Sequence, residues 1–397
     1  KIGNSILDAL VYDNGTESVT YAVPYVNGIS GIVYNAKLFE EYNLQVPRTT
    51  NELKNVADTA IEETPYNGRT QGASATAKKA VFIHVPGYWQ SAVIAWWLQY
   101  AGQEKFNDFW TFADVDVKNM SEYKDVHYQE GLKKALNVLY NLITPEGATY
   151  VGSNTLDYTV LQSRFLENED ALMYSCGSWL ETEMKKGEDF DSSTMDNFKM
   201  MKYPVISDIK DKLSEGNRTE SKLVELIDYV DGVKERPSWA TDDDVALISY
   251  ARNCSTTQTA SATATIPSYS PAKELAKEFL KYFYSDRAMK IFAEKQHCAL
   301  MVTPDDSELY DDLNKNEWSS FSKSVFDLSL NTKDYVATNL SHPLYYRTNL
   351  TELFRSTPEA NFTNVSATDR KNVSQFLDSE WSELMSQWSV YLSASGL

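Results

Sequence analysis

Two apolar periods alternate along this chain. Short unbroken apolar runs read as buried strands, and stretches with apolar residues three and four apart read as helices. Val19 to Val33 is strand-like, interrupted by Pro24 and by the Asn27-Gly28 turn signal. Asn35 caps a short helix carrying Leu38 and Phe39, and Thr49 with Glu52 forms a capping box for a helix reaching about Glu62. Arg69 to Lys79 reads as a loop, and Val81 to Val85 as a strand that turns at Pro86-Gly87. Trp89, Ala92, Val93, Trp96, Trp97 and Tyr100 then follow at helical spacing until Gly102. Most of that stripe is core, whereas Tyr88 and Trp89 stand at the helix entrance. Glu130 to Leu142 is a helix facing inward through Leu132, Ala135, Leu136 and Leu139.

The stretch Phe165 to Glu181, FLENEDALMYSCGSWLE, carries the most information. Ala171 to Tyr174 is a fully apolar run of strand length, Gly177 ends the strand, and Ser178 with Glu181 forms a second capping box. Trp179 thereby falls at the first helical position. In an α/β sheet, ligands bind where strands end and helices begin, and an aromatic there can stack on the apolar face of a ring. The residues alone leave two readings of Trp179 open: a core plug at the sheet edge, or a ligand platform.

Phe198 to Ile206 is another apolar run ending near Pro204, and the polar residues 208–240 read as a surface insertion. A helix resumes over Asp242 to Ala251. Thr263 to Ile266 is a short strand, and Ser270-Pro271 opens a helix whose Ala276, Phe279, Leu280 and Phe283 have the spacing of a buried face. A further helix runs from Asp286 to about Lys295. The chain ends in a long helix marked by Val373, Phe376, Leu377, Trp381, Leu384, Trp388 and Tyr391. This alternation predicts an α/β architecture with largely parallel sheets.

The length of 397 residues suits two domains, and 42% hydrophobic residues support real cores. A net charge of −19 with no basic cluster argues against nucleic acid or anionic lipid as a partner. Aromatics reach 13%, with 25 Tyr and 9 Trp, a composition suited to sites that are apolar on one side and wet on the other, as carbohydrate sites are. Three cysteines, Cys176, Cys254 and Cys298, make no disulfide framework and show no metal-ligand spacing, and Cys176 reads as a small apolar residue. Four histidines stand apart from one another, so neither a metal nor a cofactor is expected. No apolar run is long enough to span a membrane, and Lys1 to Asn4 does not open a signal peptide. Nine N-x-S/T sequons occur, five of them within 339–374; they matter only in a eukaryotic secretory host.

Three stretches together resemble one family. They are YAVPYVNGISGIVYNAKLFEEYNLQVPRTTNEL at 21–53, RFLENEDALMYSCGSWLETEM at 164–184 and ATIPSYSPAKELAKEFLKYFYSDRAMKIFAE at 264–294. In this order and spacing they are similar to the extracellular solute-binding proteins of bacterial ABC sugar importers, the maltose-binding-protein-like family. The resemblance implies a two-lobe, hinge-linked fold of the type II periplasmic-binding-protein class, closing over a sugar. It places 1–35 in a remnant of the N-terminal lobe with the first hinge crossing and 36–255 in the C-terminal lobe. Residues 256–300 would return to the N-terminal lobe, and 301–397 would be the helical end of the C-terminal lobe. Members carry more N-terminal lobe than these residues supply, so the resemblance implies an incomplete N-terminal lobe here.

Carried over by position, Trp179 matches the family's tryptophan that follows a Gly-Ser pair and stacks on sugar. Tyr25 and Asn27 match hinge-proximal positions facing the cleft. Tyr88 and Trp89 fall where the family places a rim aromatic, Tyr345 and Tyr346 lie in a late segment that adds another, and Trp239 beside Pro237 is a further candidate without a firm match. The implied function is a non-catalytic protein that captures an oligosaccharide by lobe closure and passes it to an ABC permease. It would act as a monomer, extracellular or periplasmic, as a surface-anchored lipoprotein in many members. Two alternatives remain from the sequence: a secreted glycoside hydrolase, which needs two carboxylates across the scissile bond, and a sugar-sensing receptor ectodomain on the same fold.

Overall fold

The computed structural model describes residues 11–13, 16–25, 28–64, 78–112, 115–119, 124, 127–187, 190–256, 263–297, 310–311, 313–331, 334–336, 342, 344, 353–363, 366 and 368–397. Asn27, Tyr345, Tyr346, Cys298 and most of the 69–79 loop lie outside the described residues.

In chain order the strands begin with β1 (Val11–Asp13), β2 (Ser18–Thr20), β3 (Val23–Pro24), β4 (Ser30–Asn35) and β5 (Ala80–His84). They continue with β6 (Ala171–Gly177), β7 (Phe198–Met201), β8 (Cys254–Thr256), β9 (Thr263–Ala264) and β10 (Asp334–Val336). The first helices are α1 (Ala36–Glu41), α2 (Thr50–Glu63), α3 (Trp89–Ala101), α4 (Gln103–Thr111) and α5 (Glu130–Ile143). Next come α6 (Tyr158–Leu166), α7 (Leu180–Met184), α8 (Glu220–Val230), α9 (Asp242–Asn253) and α10 (Lys273–Phe283). The last are α11 (Asp286–Gln296), α12 (Ser320–Asn331), α13 (Pro358–Phe362) and α14 (Val373–Ser395).

The central sheet has the order β5-β6-β4-β7. β5 and β6 run parallel, as a pair joined by a helical crossover must, while β4 is antiparallel to both β6 and β7. The sheet is therefore mixed rather than largely parallel, because β4 enters it directly from the β3 segment, from the opposite end. β4, β5 and β6 are buried along their whole lengths, which requires cover on both faces. Ile32, Tyr34, Phe82 and Met173 join a large core with α1, α2, α3, α5 and α14. Val33, Ile83, Tyr174 and Phe198 join a second core with Leu161 and Phe165 of α6 and Phe321 and Val325 of α12.

α3 is apolar on nearly every side, and burial of Ala92, Val93, Ala95, Trp96, Trp97 and Leu98 follows from that. It ends at Gly102, whose φ of 80° is the left-handed geometry a glycine supplies. Trp96 donates its indole N–H to the Pro204 carbonyl and Gln99 accepts from the Ile206 amide. Those bonds draw 202–206 away from the sheet and explain why the apolar run from Phe198 stops being a strand at Met201. α14 buries Val373, Phe376, Leu377, Leu384, Trp388 and Tyr391 as its spacing indicates.

Two expectations change. Residues 208–240 contain α8, whose Leu223, Leu226 and Ile227 sit in the core at helical spacing within a charge-rich background, so this is no surface insertion. α10 has the apolar periodicity of a buried helix yet buries none of its residues, with Leu275 72%, Phe279 61% and Tyr282 53% exposed. The described groups against its end, Tyr25 on Phe283 and the β3 carbonyls bonded to the Tyr284 hydroxyl, leave that face in solvent.

Candidate ligand-binding site

β5 and β6 lie side by side in register, with Ile83 opposite Tyr174 and His84 opposite Ser175. Their C-terminal ends therefore emerge together, and each turns into a helix: β5 through Gly87 into α3, β6 through Gly177 into α7. The residue at the head of α3 is Tyr88 and the residue at the head of α7 is Trp179. Their rings meet edge to face with centroids 6.3 Å apart. Both are partly buried, so one part of each ring is packed and another reaches water. This is the end of the sheet where α/β folds present ligands.

The pair is held from below. Tyr88 stacks on Tyr174 of β6 at 6.5 Å, and Ser175 donates its hydroxyl to the Tyr88 carbonyl at 3.1 Å. The Ser178 amide donates to the Ile29 carbonyl at 2.8 Å, tying the Trp179 turn to the residue just before β4. Gly177 has no side chain because the six-membered ring of Trp179 occupies the space one would fill. Burial pushes the Tyr88 phenol up to about 12, helped by Cys176 and Glu183 nearby. Glu183 stands beside these aromatics and accepts from the Gln162 amide at 2.6 Å, so a carboxylate and an amide lie next to the wall. Burial also pushes the Cys176 thiol up to about 12, consistent with a small apolar role.

The capping box expected at Ser178 and Glu181 does not form. α7 begins at Leu180 with no side-chain cap. The Glu181 carboxylate turns instead to the Ser319 and Ser322 hydroxyls, at 2.7 and 2.6 Å, and to Lys185. Burial opposes ionisation there, but Lys185 and the two hydroxyls hold the carboxyl below its ordinary value. This links the Trp179 helix to α12 across the second core.

The other expected site residues separate. Trp89 is fully buried between Phe82 and Trp96, so it belongs to the core stripe and not to the rim. Trp239 donates its indole N–H to Glu225 at 2.9 Å and lies under the Lys222 ammonium, with its apolar contacts in the large core; it does not join Tyr88 and Trp179. Tyr25 packs edge-on against Phe283 at 5.7 Å, next to the β3–β9 pair.

Sequence reasoning missed Tyr174, Ser175 and Glu183; β6 is buried along its whole length, so no polar alternation marks the first two. It also missed Glu359. The Glu359 carboxylate accepts from the amides of Gly87 and Trp89 at 2.7 and 3.4 Å, from a helix 270 residues further along the chain. No local pattern announces that contact. Beside the start of β4, a small concavity is lined by Ser30, Lys202, Tyr203 and Arg252, but both cations are engaged by Asp231.

Comparison with known proteins points the same way. Residues 2–140 match the family described as bacterial extracellular solute-binding protein. No curated sequence matches the chain. A Streptococcus pneumoniae solute-binding protein in complex with the blood group A-trisaccharide superposes with a TM-score of 0.55 at 15% identity, over 97% of this chain and 75% of that one. The fold is that of a solute-binding protein. The bacterial solute receptor AcbH gives a TM-score of 0.54 at 12% identity, covering 98% of this chain and 80% of its own. A chitin oligosaccharide binding protein gives 0.51 at 15% identity, covering 97% and 73%. The likeness to extracellular solute-binding proteins read from the sequence thus reappears in the match over 2–140, which contains the first of the three stretches, and in the fold. These solved structures are described as binding proteins or receptors rather than enzymes.

Proposed function

We propose that this protein is a non-catalytic carbohydrate-binding protein of an ABC importer, acting outside the cytoplasmic membrane and delivering an oligosaccharide to a permease. The carrying observation is the partly buried Tyr88–Trp179 pair at the ends of two adjacent parallel strands. An aromatic edge-to-face pair with one wet side stacks on the C–H face of a pyranose, and the half-buried Glu183 beside it, held by Gln162, suits the hydroxyls. The sugars in the descriptions of the similar solved structures support the class of ligand, as does the family matched by 2–140. Lobe closure is the mechanism we assign. A ligand bridging both lobes binds the closed form better and shifts the population towards it. Residues 36–255 and 301–397 form the lobe that carries the wall, β4 is the first hinge crossing and completes that lobe's sheet, and the rest of 1–35 with 256–300 belongs to the other. The β3–β9 pairing and the Tyr25–Phe283 contact, which join 23–25 to 263–283, support that division.

The test is calorimetric titration with chitin oligosaccharides, the blood group A-trisaccharide and galactose, on the native chain and on Trp179→Ala. Binding without release of reducing sugar, lost in Trp179→Ala while the circular dichroism is kept, is the expected result. Native affinity in Trp179→Ala overturns the assignment.

A further inference from the structure

We propose that Glu359 is a positioning residue for the aromatic wall, its carboxylate clamping the Gly87–Trp89 turn so that Tyr88 meets Trp179; this rests on the carbohydrate-site reading above. Tyr88 heads α3 and no side chain of its own turn caps that helix. The cap comes instead from α13. Glu359 Oε1 accepts from the amides on either side of Tyr88, at Gly87 and Trp89, while Ser175 donates its hydroxyl to the carbonyl of Tyr88 itself. Three backbone groups of three consecutive residues are thereby fixed from two directions, one α13 and one β6. Gly87, with φ of 88°, gives the turn no stiffness of its own.

α13 is in turn secured to the same strand end. The Thr363 hydroxyl donates to the Glu359 carbonyl and accepts from Asn154, whose side-chain oxygen meets His84 Nε2 at 3.0 Å. His84 is the last residue of β5, three before Gly87. A continuous polar chain therefore runs from the strand end, through Asn154 and Thr363, to the residue that holds the turn.

Glu359 is fully buried, and its second oxygen, Oε2, has no hydrogen-bond partner among the described residues. Burial pushes its carboxyl up to about 7, against the pull of the amides. The titratable groups on the surrounding elements are His84 on β5, Tyr140 on α5, whose ring packs on Phe362, and Glu380 on α14, occupied by the amides of Arg355 and Ser356. His84 is pushed down to about 4 by burial and stays neutral near pH 7. The ionised Glu359 is the stronger acceptor for amides at a helix N-terminus, so the clamp tightens as pH rises through neutrality.

The test is sugar titration between pH 5.5 and 8.5 on the native chain, Trp179→Ala, Glu359→Ala and Glu359→Gln, using whichever of the three sugars above binds. Glu359→Ala should weaken binding about tenfold, the loss expected when a buried clamp of this kind is removed. Glu359→Gln, which keeps one acceptor oxygen, should recover most of that loss but lack the native rise in affinity with pH. A Glu359→Gln profile that still rises with pH, or native affinity in Glu359→Ala, overturns the positioning role while Trp179→Ala remains defective. Native affinity in Trp179→Ala, or no binding of any of the three sugars, overturns the site itself and this inference with it. The near-ultraviolet dichroism difference between the native chain and Trp179→Phe reads the wall without ligand. That difference should vanish in Glu359→Ala, and its persistence there counts against the clamp.

Discussion

Trp179 folds back over Gly177 so closely that a Cβ on Gly177 would stand inside the van der Waals surface of its Cζ3, Cη2 and Cε3 atoms. The strand must end in a residue without a side chain for the indole to lie where it does. Gly177→Ala therefore pushes the ring away from Tyr88 rather than filling empty space. Overpacking of this kind costs about 1–3 kcal/mol of stability, and loss of the wall should lower sugar affinity at least about tenfold. Calorimetry and thermal unfolding on one preparation separate the two effects. An alanine variant that binds as the native chain does would show that the ring has another acceptable seat.

Tyr88 offers a second check on the wall, because its contribution comes from the ring. Tyr88→Phe keeps the edge-to-face contact with Trp179 and the stacking on Tyr174, so it should bind within a few-fold of native. Tyr88→Ala removes both contacts and should cost about 1 kcal/mol or more of binding. Equal affinities for the two variants would place the ligand elsewhere.

The strands and the apolar helices were legible because their burial follows from local period: β5, β6, α3, α5 and α14 all stand where the spacing of their apolar residues puts them. The position of Trp179 at the turn after β6 was legible as well, since Gly177 marks the strand end ahead of it. What local pattern hid are the contacts between distant segments. The Glu181 carboxylate could cap its own helix or meet Ser319 and Ser322, and only the packing of α12 decides for the serines. Trp89 follows Tyr88 directly, yet a turn of about 100° per residue sends one ring to the rim and the other into the core. Glu359 reads as an ordinary acidic residue after Pro358, and its bond to Gly87 appears only when α13 is brought against the end of β5.

α8 supplies a test of the same point. Leu226 sits at 0% exposure in a segment whose composition suggests a surface insertion. Leu226→Ala should destabilise the chain by about 2–5 kcal/mol, as a buried leucine does. A loss below about 0.5 kcal/mol in denaturant unfolding would return 208–240 to the surface.

Cys176 lies in the middle of this architecture, on β6 between Ser175 and Gly177, and is buried. A thiol pushed up to about 12 by burial holds almost no thiolate at pH 8. Peptide mapping after iodoacetamide treatment should find Cys176 unmodified in the native protein and modified once it is unfolded in guanidinium. Rapid native-state labelling would mean that β6 opens locally, and with it the support of Tyr88.

Glu359 makes a prediction about stability that is separate from binding. Its carboxyl is raised from an ordinary 4.5 to about 7 in the folded chain. A raised carboxyl favours the folded state when protonated, so its contribution is fully present below about pH 4.5. It is lost as pH rises through about 7, where the folded protein must ionise a buried group. The span corresponds to about 3 kcal/mol at the rate of one pKa unit per 1.36 kcal/mol. Glu359→Gln cannot titrate, so the native chain should lose up to that amount relative to the variant between pH 4.5 and pH 8, measured by denaturant unfolding at each pH. Other carboxylates and histidines titrate in both proteins and cancel in the difference. A flat difference across the range would mean that the carboxyl is ionised throughout, and the pH-dependent tightening of the Tyr88 clamp would fall with it.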